Sequence, residues 1–345
     1  MNTSGPVLVY GAPGHTGRFV VDELLHRGLV PVLAGRSADR VAAAGSGDLE
    51  RRAFGLDDPA RLRAALADIA VVVNCAGPFL DTALPLARAA VAAGAHYLDV
   101  TAEQQVVRDL YAELDGPARA AGVAVVPAMA FYGGLADLLV TAVLADETRA
   151  DEVDVAIGLD RWWPTAGTRA TGARNTFARQ VVRGGRLVPL PDPAPTGTWD
   201  FPPPLGEQPV VQLPFSEVIT IHRHLDVGEL RSHLNTAPLD DLHDTSTPPP
   251  AATDEHGRSA QRFVVDVVVR RGADRARAVA AGRDIYAVTA PIVVEGAARL
   301  LDGRHRGAGA VAPGTAFDAR DVLASLERGV EGLAIGYPVG DQRMR

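Results

Sequence analysis

The first part of the chain alternates short apolar runs with segments of helical periodicity. The runs cover residues 7–10, 33–35, 52–56, 69–73, 96–101 and 123–126. Uninterrupted apolar runs, such as the one at 69–73, are typical of strands that are buried on both faces of a parallel sheet. The alternation of such strands with helices predicts an α/β fold, with a doubly wound, Rossmann-type parallel sheet over roughly residues 5–130.

From residue 151 onward, apolar positions repeat at every second residue. The clearest pairs are Val153 with Val155, Val218 with Thr220, and Val265 with Val267. This period predicts half-buried strands of a second sheet with one solvated face, in a mixed α/β domain. Proline-rich stretches at 189–204 and 245–250 are predicted to be long loops between these strands.

Capping residues and prolines mark the predicted helix starts. Thr82 is predicted to cap a helix that runs through residue 93, and Glu103 to begin the next one. A further helix is predicted at 135–144. Amphipathic helices are predicted at 291–301 and 318–328, each with an N-terminal proline or Asp cap.

A glycine-rich turn links the first predicted strand to the first predicted helix. It reads GAPGHTGR at 11–18, with glycines spaced three and three. Gly11 would end the strand in a tight turn, Gly14 would let the backbone approach a phosphate, and Gly17 would let the helix pack closely. Amide N–H groups at the helix start would hold a pyrophosphate. The predicted cofactor contacts in this turn are Gly11, Pro13, Gly14, His15, Thr16 and Gly17.

The residues after the second strand indicate which dinucleotide binds. An NAD-binding unit places an acidic residue here, whereas this chain has Arg36 and Ser37. A guanidinium beside a hydroxyl suits a 2′-phosphate, so we predict NADP(H) as cofactor. The alternative is that Arg36 is a solvated residue and Asp39 contacts the ribose.

Three further segments are predicted to lie at the mouth of the same crevice. Ala76, Gly77 and Pro78 follow a central strand and are predicted to contact the nicotinamide ribose. Thr101, at the end of the fifth strand, is included in the predicted cofactor site. Asp57 would contact the adenine, or else would only cap a helix together with Asp58.

Composition narrows the possible functions. With 345 residues the chain fits about two domains, and its net charge of −8 gives no basic surface for nucleic acid or an anionic membrane. No leader-like or membrane-spanning apolar run is present, which favours a cytoplasmic location. Cys75 is the single cysteine, so it forms no internal disulfide and is predicted to serve packing.

All 34 basic residues are arginine. A lysine base, a Schiff base on the protein, a Tyr-Lys pair and a phosphate-loop lysine are therefore excluded. The proton source of a reductase would have to be another group. Tyr132, in a glycine-rich turn after the sixth strand, is our candidate, with a packing aromatic as the alternative. Asp137 on the following helix would orient it, or would be an ordinary helix-face residue.

Other polar and aromatic clusters leave several interpretations open. On a strand, His222 and His224 would share a face, as a substrate-contacting pair or as two metal ligands. No third ligand follows at a suitable spacing, so no metal site is predicted, and His222 is kept as a catalytic candidate. Trp162, beside Arg161, would form a substrate wall or a homodimer surface. Tyr286 would face the cleft or pack.

These segments together resemble the saccharopine dehydrogenase-like NADP-dependent oxidoreductases, in particular the branch with trans-acting enoyl reductases. The matching stretches are GAPGHTGR at 11–18, LAGRS at 33–37, NCAGPF at 74–79, AAGAHYLDVTAE at 92–103, FYGGLADLL at 131–139 and AVAPGTAFDARDVLASL at 310–326. Residues 151–285 match only loosely.

The resemblance implies a domain order and a substrate class. It implies an NADP-binding Rossmann domain at 1–130, a mixed α/β substrate or dimerisation domain at 131–290, and C-terminal helices at 291–345 that return to the first domain. Lysine-forming members use a lysine-histidine pair, which this lysine-free chain lacks. The enoyl reductase branch acts on carrier-bound chains and reduces C=C bonds. Other relatives of the scaffold act on C–N bonds.

The sequence therefore predicts an NADPH-dependent reductase that acts on a C=N or C=C bond of a small biosynthetic intermediate. A carrier-bound substrate is part of that expectation, although Arg270-Arg271 and 304–306 are the only arginine-rich surface candidates for a carrier. The alternative is an NADP-binding regulatory or scaffold protein without turnover, whose nicotinamide face would be blocked by a side chain.

Overall fold

The computed structural model describes residues 5–45 and 47–337. The first six strands are β1 (Val7–Tyr10), β2 (Pro31–Gly35), β3 (Glu50–Ala53), β4 (Val71–Asn74), β5 (His96–Asp99) and β6 (Ala124–Val126). Between them lie α1 (His15–His26), α2 (Ala38–Ala42), α3 (Pro59–Leu66), α4 (Phe79–Ala92) and α5 (Gln104–Ala121). The predicted strand and helix alternation is present.

The remaining elements form a second sheet and the helices around it. They are α6 (Ala136–Leu144), β7 (Arg149–Leu159), α7 (Ala166–Arg174), β8 (Gln180–Arg183), β9 (Arg186–Pro189), β10 (Thr196–Phe201), β11 (Gly206–Gln212), α8 (Glu217–His224), β12 (Asp226–Asn235), α9 (Ala237–His243), β13 (Arg262–Arg271) and β14 (Asp274–Arg283). The last part contains α10 (Ile285–Leu301), β15 (Gly309–Ala310), α11 (Pro313–Ala316), α12 (Ala319–Gly329) and β16 (Ala334–Gly336).

The first sheet is wholly parallel, in the order β15-β6-β5-β4-β1-β2-β3. Strand β1 lies in its centre, and all four of its side chains are buried because helices cover both faces. The strand order reverses between β1 and β4, which is where open α/β sheets bind ligands. The predicted doubly wound Rossmann-type fold is confirmed.

The second sheet is mixed, in the order β10-β11-β12-β7-β13-β14-β16, with the β8–β9 hairpin paired to β12. Only β12 and β7 pair in parallel; the other pairs on this path are antiparallel. One hydrophobic core joins this sheet to the first through α6, α8 and α10. The second domain is therefore fixed over the carboxyl edge of the first sheet.

The C-terminal segment returns to the first domain, as the fold prediction required. Helix α10 packs on α1. At this contact the Glu295 carboxylate of α10 accepts hydrogen bonds from Arg27 and from Arg299. The side chain of Arg299 is almost fully buried. Strand β15 then extends the first sheet beside β6, pairing Gly309 with Ala124. The chain thus adds the last strand of the first sheet after β14, and it then returns to the second sheet with β16, which pairs with β14.

Several element predictions were wrong. Residues 217–224 form helix α8 rather than a strand, because Val218, Ile219 and Ile221 are all buried and only a helix lets them pack between α5 and α6. Six of the sixteen residues in the stretch 189–204 form β10, since its paired partner β11 satisfies the backbone despite the prolines. The third strand lies at Glu50–Ala53.

Two helix starts also differ from prediction. Thr82 lies inside α4, which begins at Phe79, and its hydroxyl donates to the Ala76 carbonyl at 2.6 Å. Helix α10 begins at Ile285, well before Pro291, because the Asp284 carboxylate accepts from the N–H groups of Tyr286 and Ala287. A proline tolerated within a buried helix was thus mistaken for a helix start. Asp318 caps α12 as predicted.

Candidate functional site

The turn between β1 and α1 has space only for glycine at two positions. Gly11 has a φ of +90°, and a Cβ there would lie 2.9 Å from the Ala76 nitrogen. A Cβ on Gly17 would overlap the Gly11 carbonyl oxygen. The backbone of this turn is therefore held close to the end of β4 and to the first turn of α1.

The N-terminus of α1 is free to bind an anion. Its N-cap, Gly14, provides no side-chain acceptor, and the first turn contains no acidic residue. The first N–H groups of the helix consequently lack intrahelical partners and carry the positive end of the helix dipole. This arrangement fits a pyrophosphate, with Pro13 and Thr16 beside it in the turn.

His15 occupies the side of the turn that faces α10. Its ring lies edge-on to Phe19 and Tyr286, each with ring centroids 5.3 Å away. Burial lowers its pKa, and its Nε2 is buried without a hydrogen-bond partner among the described residues. The neutral ring therefore remains able to bind a ligand placed in the turn.

The end of β2 presents charge to solvent as an NADP site requires. Arg36 is exposed, and none of the ion pairs among the described residues includes it. Ser37 caps α2 by accepting from the Arg40 N–H, which leaves its own hydroxyl proton free. Asp58 caps α3 alone, so Asp57 is exposed and free of that role. These residues fit a 2′-phosphate and an adenosine.

The turn after β4 is held by its own side chains. The Asn74 side-chain oxygen accepts from the Ala76 N–H at 3.0 Å, and its Nδ2 donates to Thr82 and Tyr97. Pro78 precedes α4 as its N-cap. Cys75 follows β4 and is half-buried, and desolvation raises the pKa of its thiol far above the ordinary value, so the thiol stays protonated at neutral pH.

A cavity of about 630 Å³ opens between this turn and the second domain. Thr16, Cys75 and Gly77 line its nucleotide end, and Tyr132, Arg179 and Phe215 line the far wall. The volume is that of a small-molecule site, and most of the lining is apolar or aromatic.

Glu103 brings a buried carboxyl group to this cavity. Its Oε2 accepts from the Phe79 N–H at 3.2 Å and from the Thr101 hydroxyl at 3.3 Å, while Oε1 has no partner among the described residues. Burial raises the pKa of Glu103 to about 7, against the opposing effect of those two hydrogen bonds. At neutral pH the group can therefore hold or release a proton.

Aromatic side chains form the wall that faces the cofactor turn. Trp162 stacks on Tyr132 with centroids 5.9 Å apart, and Phe215 lies 4.3 Å from Tyr132 on its other side. The indole N–H of Trp162 donates to the Tyr286 hydroxyl at 3.1 Å, and Thr168 bonds the same hydroxyl at 2.9 Å. Trp162 and Tyr286 therefore both line the cavity and are held together by the hydrogen bond between them.

Tyr132 lies in the cavity, but not with the partner that we predicted. Its hydroxyl is buried without a hydrogen-bond partner among the described residues, and burial raises its pKa well above the ordinary value. Asp137 is fully buried elsewhere, bonded to His224 at 2.7 Å and to the Gly314 N–H at 3.0 Å. These two hydrogen bonds link α6 to α8 and α11, so the Asp137 carboxylate does not orient Tyr132.

The structure also corrects two other site predictions. His222 lies on helix α8 and does not line the cavity. Residues two apart share a face of a strand but not of a helix, so His222 and His224 point in different directions. Thr101 is fully buried, and its hydroxyl holds Glu103 instead of lining the cavity. Within 5–45 and 47–337, no group of three potential ligands could hold a metal ion.

Sequence reasoning missed the charged groups that the cavity uses. Glu103 follows the fifth strand at the ligand-binding edge, a position that could have drawn attention to it. No comparable signal in the sequence marks Arg179 or the fully buried Glu217. Arg179 lies in a stretch without a clear apolar period, and Glu217 begins the segment that was misread as a strand. Only the fold of the second domain brings Arg179 to the cavity and Glu217 near Arg179.

Comparison with known proteins supports the nucleotide site. Residues 7–126 match the family model described as the saccharopine dehydrogenase NADP binding domain. A trans-acting enoyl reductase of Mycobacterium tuberculosis is 32% identical over 116 residues, covering 30% of this chain and 28% of that protein. A saccharopine dehydrogenase-like oxidoreductase of Bos taurus is 27% identical over 156 residues, covering 38% and 35%.

The chain therefore spans only about a third of the length of these curated relatives. A solved structure covers far more of it: the apo, histidine-tagged, L-Glu-forming saccharopine dehydrogenase of Saccharomyces cerevisiae. It matches 97% of this chain and 100% of its own with a TM-score of 0.66, at 13% identity. In the part that the structure describes, no helix has the length and apolarity to cross a membrane.

These matches confirm the predicted family resemblance and NADP(H) as the cofactor. The shared fold accounts for the return of the C-terminal helices, and the matched domain accounts for the glycine turn with Arg36. Residues 7–126 are a saccharopine dehydrogenase-type NADP-binding domain, in a chain that has the saccharopine dehydrogenase fold.

Proposed function

We propose that the chain is an NADPH-dependent reductase that acts on a C=N or C=C bond of a small biosynthetic intermediate. The observation that carries the proposal is the cavity, which joins the NADP-binding turn to the buried carboxyl group of Glu103. Enoyl reductases among the relatives favour a C=C acceptor. Bound NADPH would supply a hydride to one atom of the double bond.

The chain itself would hold the cofactor and supply the proton. Gly11, Gly14 and the start of α1 would bind the pyrophosphate, and Arg36 the 2′-phosphate. The aromatic wall of Trp162 and Tyr286 would exclude water from the acceptor.

Glu103 is better suited than Tyr132 to deliver the proton. With a pKa of about 7, protonated Glu103 can give its proton to the second atom of the double bond and recover it from solvent. Tyr132, whose pKa burial raises well above its ordinary value, is a poorer acid. Tyr132 as proton donor stays a prediction from the sequence, and we infer instead that its hydroxyl contacts the substrate.

The test is NADPH oxidation by the full chain with two kinds of probe acceptor. We expect 1-pyrroline, a cyclic imine, or 2-cyclohexen-1-one, an activated alkene, to be reduced with deuterium transferred from labelled NADPH. Glu103→Gln should lower kcat by about a hundredfold or more and flatten its pH dependence near neutrality. Glu113→Gln, at an exposed position on α5 outside the cavity, serves as the matched carboxylate control.

A non-catalytic NADP-binding protein is the alternative. It requires a side chain that blocks the nicotinamide face, whereas the cavity extends from the nucleotide end. Tight NADPH binding with no deuterium transfer to either probe would favour this alternative. The absence of NADPH binding in a fluorescence titration would contradict both.

A further inference from the structure

Arg179 is a cation on the cavity wall without a matching carboxylate. It lies between α7 and β8, and its Nη1 donates to the Pro214 carbonyl at 2.6 Å. Its guanidinium lies 5.0 Å from the centre of the Phe215 ring. None of the ion pairs within 5–45 and 47–337 includes Arg179. Most of its five N–H donors are therefore left without a protein acceptor.

The surrounding charges leave this cation partly uncompensated. Burial lowers the pKa of Arg179, and the nearest acidic group, Glu217, opposes that effect. Glu217 does not bond to the guanidinium; its Oε1 accepts from the Phe215 N–H at 2.8 Å, and burial raises its own pKa. Arg179 is half-buried, and a cation on an apolar cavity wall without a bonded anion can form a charge-assisted pair with an anionic ligand there.

A second unsatisfied donor lies on the same wall. The Tyr132 hydroxyl is buried and has no partner among the described residues. Phe215 contacts both side chains, with the Tyr132 ring centroid 4.3 Å and the Arg179 guanidinium 5.0 Å from the centre of its ring. One negatively charged acceptor bound in the cavity would satisfy both donors.

We propose that Arg179 and Tyr132 form an anion subsite that holds the carboxylate of the substrate, whose apolar body packs on the aromatic wall. This inference rests on the proposed function, because it takes the bound acid to be the molecule that is reduced. The substrate class is then an unsaturated or imino monocarboxylic acid with an apolar or aromatic body.

A carboxylate fits better than a phosphate because only one arginine of the cavity is free. The other, Arg169, donates to the carbonyl oxygens of Leu242, Asp244 and Thr247. A single planar guanidinium matches a monoanionic carboxylate in a bidentate pair, whereas a phosphate dianion would leave one charge uncompensated.

The test is calorimetric binding of non-reacting probes to the full chain saturated with NADP⁺. 3-Phenylpropionate carries the carboxylate, 3-phenylpropanamide is its neutral counterpart, and phenyl phosphate supplies the other anion. We expect the acid to bind at least about tenfold more tightly than the amide and the phosphate. Arg179→Gln should weaken acid binding by about tenfold to a hundredfold and leave amide binding unchanged.

Two variants separate the subsite from a general effect on folding. Arg174→Gln removes an exposed arginine of the same segment, which pairs with Asp81 outside the cavity, and should change nothing. Tyr132→Phe should weaken acid binding by about threefold to tenfold through loss of one hydrogen bond. Arg179→Gln should unfold at nearly the same temperature as the unmodified chain, because Arg179 is half-buried and forms no ion pair among the described residues.

The proposal is overturned if the unmodified chain shows no preference for the acid over the amide, including the case in which neither binds. It is also overturned if Arg179→Gln binds the acid normally, or if phenyl phosphate binds more tightly than the acid. If the chain prefers the acid but oxidises no NADPH, the anion subsite is supported and the proposed reductase activity is contradicted. If the chain oxidises NADPH but shows no preference for the acid, the reductase activity is supported and the anion subsite is contradicted.

Discussion

The backbone N–H of Phe79, the first residue of α4, donates to Oε2 of Glu103 across 24 residues of sequence. A carboxylate at a helix N-terminus ordinarily has a lowered pKa, because the helix dipole and the N–H groups favour the charged form. Here burial outweighs that effect and the pKa is about 7. The bond orients the carboxyl group and leaves Oε1 for the cavity.

The stability of the chain should therefore depend on pH through Glu103. Its pKa of about 7 in the folded chain lies above the ordinary value of 4.5, so the folded state binds this proton more tightly. The contribution of this proton to the free energy of unfolding is fully present below about pH 4.5 and is lost as the pH rises through about 7. Its upper limit is about 3 kcal/mol.

Glu103→Gln mimics the protonated group and should remove this dependence. In urea unfolding, the variant should gain up to about 3 kcal/mol relative to the unmodified chain between about pH 5 and about pH 8. Glu113→Gln, an exposed position on the same helix, should show a difference below about 0.5 kcal/mol at both pH values. A pH-independent difference for Glu103→Gln would contradict the raised pKa.

Gly17→Ala tests the close packing of the nucleotide turn. The added Cβ would overlap the Gly11 carbonyl oxygen, so we expect a loss of about 1–3 kcal/mol in unfolding free energy and weaker NADPH binding. Gly116→Ala is the matched control, because a Cβ at that position in α5 meets no atom within 4 Å. It should raise stability by about 0.5–1 kcal/mol. Equal effects of the two variants would refute the packing argument.

Arg36→Gln tests the choice of cofactor. Loss of a charge-assisted contact to the 2′-phosphate should weaken NADPH binding by about tenfold to a hundredfold while NADH binding stays unchanged. Fluorescence titration of both cofactors measures this directly. Arg61→Gln, an exposed arginine on α3 that pairs with Asp58, should leave both affinities as they were. If the two cofactors lost affinity equally, Arg36 would not contact the 2′-phosphate.

Local patterns predicted the nucleotide half of the molecule because its features are contiguous. The turn from Gly11 to Gly17 gives strand, phosphate site and helix within one stretch, and Arg36 follows directly. The two-residue period also predicted β7 and β13 as strands, although their central residues are buried on both faces and not half-buried as expected.

The substrate side depends on contacts between distant residues, which no local period encodes. Helix α8 was read as a strand because Val218 and Thr220 alternate over a short stretch, whereas the helix buries its apolar residues and exposes Arg223. Arg179 lines the same cavity as Tyr132 because β8 pairs with β12 in the second sheet. The functional meaning of these residues comes from tertiary packing alone.

Asp137→Asn should show that this buried carboxylate is structural. Burial lowers the pKa of His224, but the charge and hydrogen bond of Asp137 raise it, and the net effect is a raised pKa. A histidine with a raised folded pKa stabilises the chain below its ordinary pKa, and this contribution is lost as the pH rises through the folded value. The variant should therefore lose about 1–3 kcal/mol at about pH 5.5 and less at about pH 8.5.

Urea unfolding at both pH values and NMR titration of His224 measure these effects. His224→Gln and the double variant complete a cycle, and the interaction between the two sites should exceed about 0.5 kcal/mol. NADPH binding should be unchanged in all three variants, because neither residue lines the cavity. Loss of NADPH oxidation in Asp137→Asn at unchanged stability would return Asp137 to the catalytic role that its place after Tyr132 had suggested.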